Sequence, residues 1–320
     1  MRRRTFIAGL LAASSRTGAR AQTRVRIAIL HSGYPNRTPI HLLLKALSNL
    51  GYEDRRTATI ELLGGEGDPT RLKALVAYLA TQKPDVIIAI TSPAVVALKQ
   101  ANLNRPVVFA FVPDPIGLGV VESLGHPGGN FTGVTYSEAV LGGKRLELLI
   151  DALPATKRIA VLWSRGLLES LAILDSIRSE ASLRGIEIFP RELPGLEDLA
   201  PAFDDAEQAG AQAVVFMTDN LMFGHQKRIA ALALAHHLPS MHTFATEVHD
   251  GGLMSYGPSM EENYRRAAAL VDKVLKGTRP SELPVEPPTM FELVINLKTA
   301  KAIDLTIPPW FLLSATEVIE

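Results

Sequence analysis

Asp85-Val86-Ile87-Ile88-Ala89-Ile90, followed at once by Thr91-Ser92-Pro93, and Pro106-Val107-Val108-Phe109-Ala110-Phe111, followed by Val112-Pro113-Asp114-Pro115, decide the fold. Both runs are almost continuously apolar and both stop at polar residues and proline. A strand with one wet face alternates apolar with polar side chains. A run without alternation is buried on both faces, as in a parallel strand covered by helices above and below. Working outward, residues 25–30 (VRIAIL) read as a first strand, rich in branched side chains. Residues 158–163 (RIAVLW), 186–189 (IEIF) and 213–217 (AVVFM) repeat the pattern after the middle of the chain.

Helical signals lie between these runs. Asp68 is placed to cap a helix with Pro69 at its first position, and Leu72, Leu75, Val76 and Leu79 share one face. Ser259 and Glu262 have capping-box spacing. Tyr264, Ala267, Ala268, Val271, Val274 and Leu275 form the stripe behind them, and Gly277 follows where the helix should end. Alternation of this kind gives α/β doubly wound sheets. One set precedes about Phe131 and another follows it, which predicts two lobes with a break at the turn-rich Gly128-Gly129-Asn130. A chain of 320 residues is also too long for one ordinary core.

The amino terminus reads as an export signal over residues 1–21. Arg2, Arg3 and Arg4 precede an apolar core at residues 6–13, and Ala19-Arg20-Ala21 offers small residues at the two positions an export peptidase reads. That core is about half the ~20 residues needed to span a bilayer. Arg3-Arg4-Thr5-Phe6-Ile7 also resembles the twin-arginine signature. With no cysteine, the protein has neither disulfides nor a cysteine-borne lipid anchor. No later apolar stretch is long enough for a membrane helix, so a soluble, periplasmic product is expected. Lysine plus arginine and aspartate plus glutamate balance at 33 each, which gives no electrostatic case for nucleic acid.

No catalytic signature emerges. No G-x-G-x-x-G follows Leu30, Gly117-Leu118-Gly119 lacks a third glycine, and Gly64-Gly65-Glu66-Gly67 has no following Lys-Ser/Thr. There is no G-x-S-x-G elbow and no nucleophilic cysteine. His236, His237, His242 and His249 crowd one region, but adjacent histidines on a helix point about 100° apart and do not share an ion easily. Neither a cofactor nor a metal is expected.

Polar residues just after strands remain, and in open α/β sheets ligands sit at the strands' carboxyl ends. His31-Ser32-Gly33, Thr91-Ser92-Pro93 and Pro113-Asp114-Pro115 hold those places in the first half. Trp163-Ser164 and Thr218-Asp219-Asn220 hold them in the second. Singly each reads as a cap or turn; together they describe two rims around a small ligand. The hydroxyls of Ser32, Thr91 and Ser92 are candidate donors. Asp219, with Asn220 beside it, is the candidate acceptor for an ammonium, and Glu247 is a further candidate. Asp114 either touches ligand or caps the next helix. Of the few aromatics near these rims, which include Tyr34 and Tyr256, Tyr136 and Trp163 are taken as candidate ligand contacts, against the alternative that they only pack.

The segment Asp114-Pro115-Ile116-Gly117-Leu118-Gly119-Val120-Val121-Glu122-Ser123-Leu124, with His126-Pro127-Gly128-Gly129-Asn130-Phe131-Thr132-Gly133, resembles a stretch of the ABC transporter substrate-binding proteins related to the tryptophan/tyrosine-binding type. Gly143-Lys144-Arg145-Leu146-Glu147-Leu148-Leu149, Gly251-Gly252-Leu253-Met254-Ser255-Tyr256-Gly257 and Phe291-Glu292-Leu293-Val294-Ile295-Asn296-Leu297 continue the likeness in unbroken order. The resemblance implies a type I periplasmic-binding-protein architecture, two Rossmann-like lobes joined by three crossings and closing on ligand like a hinge. On that basis residues 22–133 and 249–280 form one lobe, and 134–248 and 281–320 the other. It also implies a monomer that captures a small solute, an amino acid or an aromatic or carboxylate compound, and delivers it to an ABC permease driven by a cytoplasmic ATPase. The loop His31-Ser32-Gly33-Tyr34-Pro35 and the segment Met241-His242-Thr243-Phe244 depart from the family pattern, so the ligand does not transfer with the fold. An exported enzyme on this architecture, or a sensor partner, stays open as an alternative.

If residues 1–21 are an export signal, protein recovered from a Gram-negative periplasm begins at or near Gln22, which amino-terminal sequencing reads directly. Replacing Arg3 and Arg4 with lysine blocks export by the twin-arginine route; unchanged export assigns the general secretory pathway.

Overall fold

The computed structural model describes residues 24–136 and 138–320; the export-signal reading lies outside the described residues. The first run of elements is β1 (Val25–His31), α1 (Ile40–Asn49), β2 (Ala58–Gly64), α2 (Pro69–Gln82), β3 (Val86–Ile90), α3 (Ser92–Gln100), β4 (Val107–Val112) and β5 (Phe131–Thr135). The strands form one parallel sheet in the order β2-β1-β3-β4-β5. As the unbroken apolar runs require, both faces are covered. Ile27, Ile29, Val86, Ile88 and Val108 enter one buried cluster, while Ala28, Leu30, Ile87, Ala89 and Phe109 enter another with α2 and α3.

The second run comprises α4 (Glu138–Ala152), β6 (Arg158–Ser164), α5 (Ser170–Arg184), β7 (Glu187–Leu193), α6 (Leu199–Gln208), β8 (Ala213–Met217), α7 (Asn220–Phe223), α8 (Gln226–Ala235), β9 (Ser240–His242), α9 (Ala245–His249) and β10 (Met254–Pro258). After α10 (Met260–Leu275) come β11 (Phe291–Asn296), α11 (Leu297–Ala302), α12 (Pro309–Leu312) and β12 (Glu317–Ile319). Their strands form a second sheet, β12-β11-β10-β9-β8-β6-β7, parallel throughout except where β10 meets β11. Two parallel-dominated sheets sheathed by helices match the expected fold class. Among the described residues no helix is long and apolar enough to cross a membrane.

The helix signals are borne out. The Asp68 carboxylate accepts the Thr70 N–H at 2.8 Å and caps α2. Side-chain capping recurs at α10, where the Ser259 hydroxyl oxygen accepts the Glu262 N–H. Tyr264, Ala267, Ala268 and Val271 on α10 are at most 1% exposed.

The lobe boundaries differ from the sequence expectation at each crossing. The first lobe segment was expected to end at residue 133, which lies within β5 paired with β4, so the chain leaves the first sheet two residues later, after Thr135. The second was expected at residues 249–252, yet β10 pairs with β9 and β11 in the second sheet, and the crossing follows Pro258. The third was expected near residues 280–284, but Val285 is 3% exposed within the first lobe's core. Its N–H and that of Glu286 bond to Leu124 and Gly133 carbonyls at 2.7 and 2.9 Å, so the chain departs after Glu286. Apolar burial, which the glycine-rich segments do not report, sets these points. The one long element exchanged is α10, which packs on α1, β3 and β4 of the first lobe.

Gly133 marks the tightest approach within the first sheet. A Cβ there would stand 2.2 Å from the Phe109 carbonyl oxygen and 2.5 Å from its ring. Gly133→Ala should therefore cost about 1–3 kcal/mol through forced separation of β4 and β5, read as a lower denaturant midpoint at unchanged slope.

Candidate functional site

The carboxyl ends of the strands of both sheets face each other across a cleft. Its walls include His31, Tyr34, Ile90, Thr91, Ser92, Phe111 and Tyr136 on one side, Gly166, Leu167, Glu169, Thr218, Asp219, Asn220, Phe223 and Phe244 on the other, and Met260 and Tyr264 of the returning α10. Outward it continues into a groove shared by Tyr34, Pro93, Gly166, Leu168, Asp219 and Asn220.

Half of this cleft is aromatic. Phe111 packs edge-on against Phe244 and Tyr264 with ring centroids 5.8 and 5.0 Å apart, and Tyr136 and Phe223 each lie within 6.0 Å of Phe244. Phe111 reaches this position through local backbone geometry. The register of β4 on β5 shifts between Ala110 and Val112, and Phe111 sits at φ +57°. An extra residue in a strand re-aims a side chain that regular pleating would send to the other face. Thr91, at the end of the neighbouring β3, also has positive φ, +76°. For a branched residue that conformation carries strain of order 1–3 kcal/mol. Burial also holds the Tyr264 hydroxyl well above the usual phenol range.

The other half is polar, and much of it links the lobes. Asn220 donates to Ser32 Oγ at 2.6 Å, and Ser32 in turn bonds the Thr91 hydroxyl. Ser92 donates to Glu169. Arg37 donates to the Gly224 carbonyl and bonds His225 Nε2, both at 3.0 Å, with its guanidinium 4.8 Å from the Tyr34 ring centroid. Gly33 permits the closest approach, since a Cβ there would meet Asn220 Oδ1 at 2.9 Å. The expected donors Ser32, Thr91 and Ser92 are thus engaged with one another or with the opposite lobe.

Asp219 is the cap of α7. Its Oδ1 accepts the Met222 N–H at 3.0 Å and its Oδ2 accepts from Ser164. Burial pushes its carboxyl above the ordinary aspartate value, opposed by those hydrogen bonds. His31, 2% exposed, has its pKa lowered by desolvation to about 4. No lysine or arginine stands among the described residues lining the inner cleft.

Four of the sequence candidates sit elsewhere or act otherwise. Trp163 shares the parity of Ile159 and Val161 on β6 and packs into the core against α5, away from the cleft lining. Asp114 is exposed and accepts the Gly117 N–H at 2.8 Å, so it serves the turn. Glu247 lies beneath the site, 1% exposed, accepting from the Thr218 hydroxyl at 2.9 Å and from the Thr243 and Phe244 N–H groups at 3.1 and 2.8 Å. Ser32 lines the outer groove only. Thr91, Ser92, Tyr136, Asp219 and Asn220 do converge on the inner cleft. Sequence reasoning missed Phe111, Glu169, Phe223, Phe244 and Tyr264. Tyr264 had left a signal as part of a buried helical stripe, and Phe244 as part of the segment Met241-His242-Thr243-Phe244 that departs from the family pattern. The histidines do not converge: His236 bonds Glu207, His242 stacks on Phe216, and His249 bonds Glu317.

Comparison with known proteins agrees with this architecture. A protein from Clostridioides difficile named as tyrosine-binding is 27% identical over 263 residues, covering 82% of this chain and 75% of that protein. The structure of an ABC domain from Streptococcus pneumoniae in complex with L-Trp superposes with a TM-score of 0.84 at 25% identity, over 93% of this chain and all of that one. A conserved domain protein from Vibrio cholerae superposes at 0.85 with 24% identity, covering 92% and 99% of the two chains. Residues 32–319 match the family model described as ABC transporter substrate binding protein, and the chain belongs to that family.

Proposed function

We propose that this protein is exported and, as a monomer, captures an aromatic amino acid of the tyrosine or tryptophan type between its lobes for delivery to an ABC permease. The observation that carries the reading is the division of one cleft into a box of aromatic rings and a polar rim holding Asp219. The rings offer edge-to-face contacts to a ligand ring. Asp219 takes the ligand ammonium, since its carboxylate lines a cleft with no lysine or arginine among the described lining residues. The ligand carboxylate meets uncharged donors, among them Asn220 and the N–H groups at the start of α3, where the helix dipole is positive. Glu247 supports the site from below by fixing Thr218 and the backbone that carries the Phe244 ring. Closure needs dihedral change only at the three crossings. A second reading, an aromatic amine lacking a carboxylate, is favoured by two acidic residues, Asp219 and Glu169, in a cleft with no lysine or arginine among the described lining residues.

Calorimetry with L-tyrosine and L-tryptophan tests the reading, with tyramine as the arm for the second. Asp219→Asn keeps a side-chain oxygen for the α7 cap but removes the charge, and should cost about 2–5 kcal/mol in affinity. Equal affinities in the two proteins would remove Asp219 from the site.

The pH dependence has a definite sign. Because the folded-state pKa of Asp219 is raised, its charged form costs the unliganded protein stability above that pKa. A bound ammonium relieves that cost and lowers the pKa. Affinity is therefore full above the unliganded pKa and falls as pH drops through it, starting at higher pH than an ordinary carboxylate would give. Within that range binding releases protons, measured as a dependence of the calorimetric heat on buffer ionisation enthalpy.

A further inference from the structure

His31 ends β1 with the parity of Ile27 and Ile29, and it stands opposite Ile90 in the β1–β3 register. That face of the sheet packs with Phe111, Met260 and Tyr264, so His31 belongs to the aromatic half of the cleft, apart from Asp219 on the other lobe. Its Nδ1 accepts the Gly33 N–H at 2.9 Å. In the neutral imidazole the ring proton then resides on Nε2. Burial keeps the ring neutral at physiological pH. Nε2 has no hydrogen-bond partner among the described residues, although the side chain is 2% exposed and borders the cavity. A donor that borders the cavity with no protein acceptor is free to take an oxygen arriving with the ligand.

We propose that His31 determines specificity by donating its Nε2–H to an oxygen carried on the aromatic end of the ligand, so that the cleft selects a hydroxylated ring. The proposal rests on the aromatic amino-acid reading above. A phenol oxygen accepts this hydrogen bond. An indole N–H is itself a donor, and an unsubstituted phenyl ring offers no lone pair. The Gly33 N–H, by occupying Nδ1, fixes which nitrogen faces the choice.

The test is calorimetry of L-tyrosine, L-phenylalanine and L-tryptophan with wild type, His31→Asn and His31→Gln. Asparagine retains an acceptor for the Gly33 N–H but does not reach the Nε2 position, whereas glutamine places an amide donor near it. Wild type should bind tyrosine about tenfold tighter than phenylalanine, the size of one neutral hydrogen bond. His31→Asn should lose that preference at unchanged phenylalanine affinity, and His31→Gln should keep part of it. Equal wild-type affinities for tyrosine and phenylalanine, or a preference that survives in His31→Asn, overturn the role of His31 and leave the aromatic amino-acid reading standing. Loss of phenylalanine binding in His31→Asn also overturns it, since the residue would then be structural. Failure of all three ligands to bind wild type overturns both readings.

Discussion

Every polar feature of this protein is placed by one constraint: both faces of each parallel sheet must be covered by helices. Strands such as β3 and β8 are buried along their whole length and have no room for chemistry except at their ends. Parallel order sends the carboxyl ends of β1, β3 and β4 the same way, and likewise those of β6 and β8, so the loops after them collect in two rims. The cleft is the place where these rims meet, and the few polar groups buried beneath it, such as Glu247 and Arg145, are held by hydrogen bonds.

The two rims are held against each other mainly through buried hydroxyls and amides. Asn220, Ser32 and Thr91 form a continuous chain from one lobe to the other, and Ser92 joins Glu169. Because Ser32 and Ser92 are each 3% exposed, these bonds form away from bulk water. They therefore count for more than the exposed contacts of Arg37 with Gly224 and His225 on the rim. A small ligand consequently meets a surface in which several hydroxyls are already committed. Beside these committed groups the cleft lining carries aromatic faces, His31 and the carboxylate of Asp219.

The exchanged helix α10 ties the lobes together in another way. It leaves the second sheet at Pro258, lays Tyr264, Ala267, Ala268 and Val271 on the first, and lends Met260 and Tyr264 to the cleft. Arg145, 1% exposed on α4, donates to the Tyr256 carbonyl beside that crossing at 2.7 Å. The aromatic box is thus built from both lobes and from the element that passes between them, and relative movement of the lobes changes its shape.

Unbroken apolar runs, helix caps and the order of motifs determined the α/β class, the two-lobe architecture and the strand ends as the site's address. They did so because burial on both faces and capping are local demands written into consecutive residues. Thr91, Ser92, Asp219 and Asn220 were legible as the residues next after strands, and Tyr136 as one of the few aromatics near the rims. What only the tertiary structure decided depends on side chains distant in sequence. The bulge that turns Phe111 into the cleft requires the register of β4 on β5. Trp163 went to the core because strand parity, not proximity to a rim, sets its direction. The crossings follow Val285 and β10, whose burial depends on partners from other segments. Glu247 is a support and not a wall for the same reason: hydrogen bonds to Thr218, Thr243 and Phe244 use up a carboxylate whose neighbours no linear reading reveals.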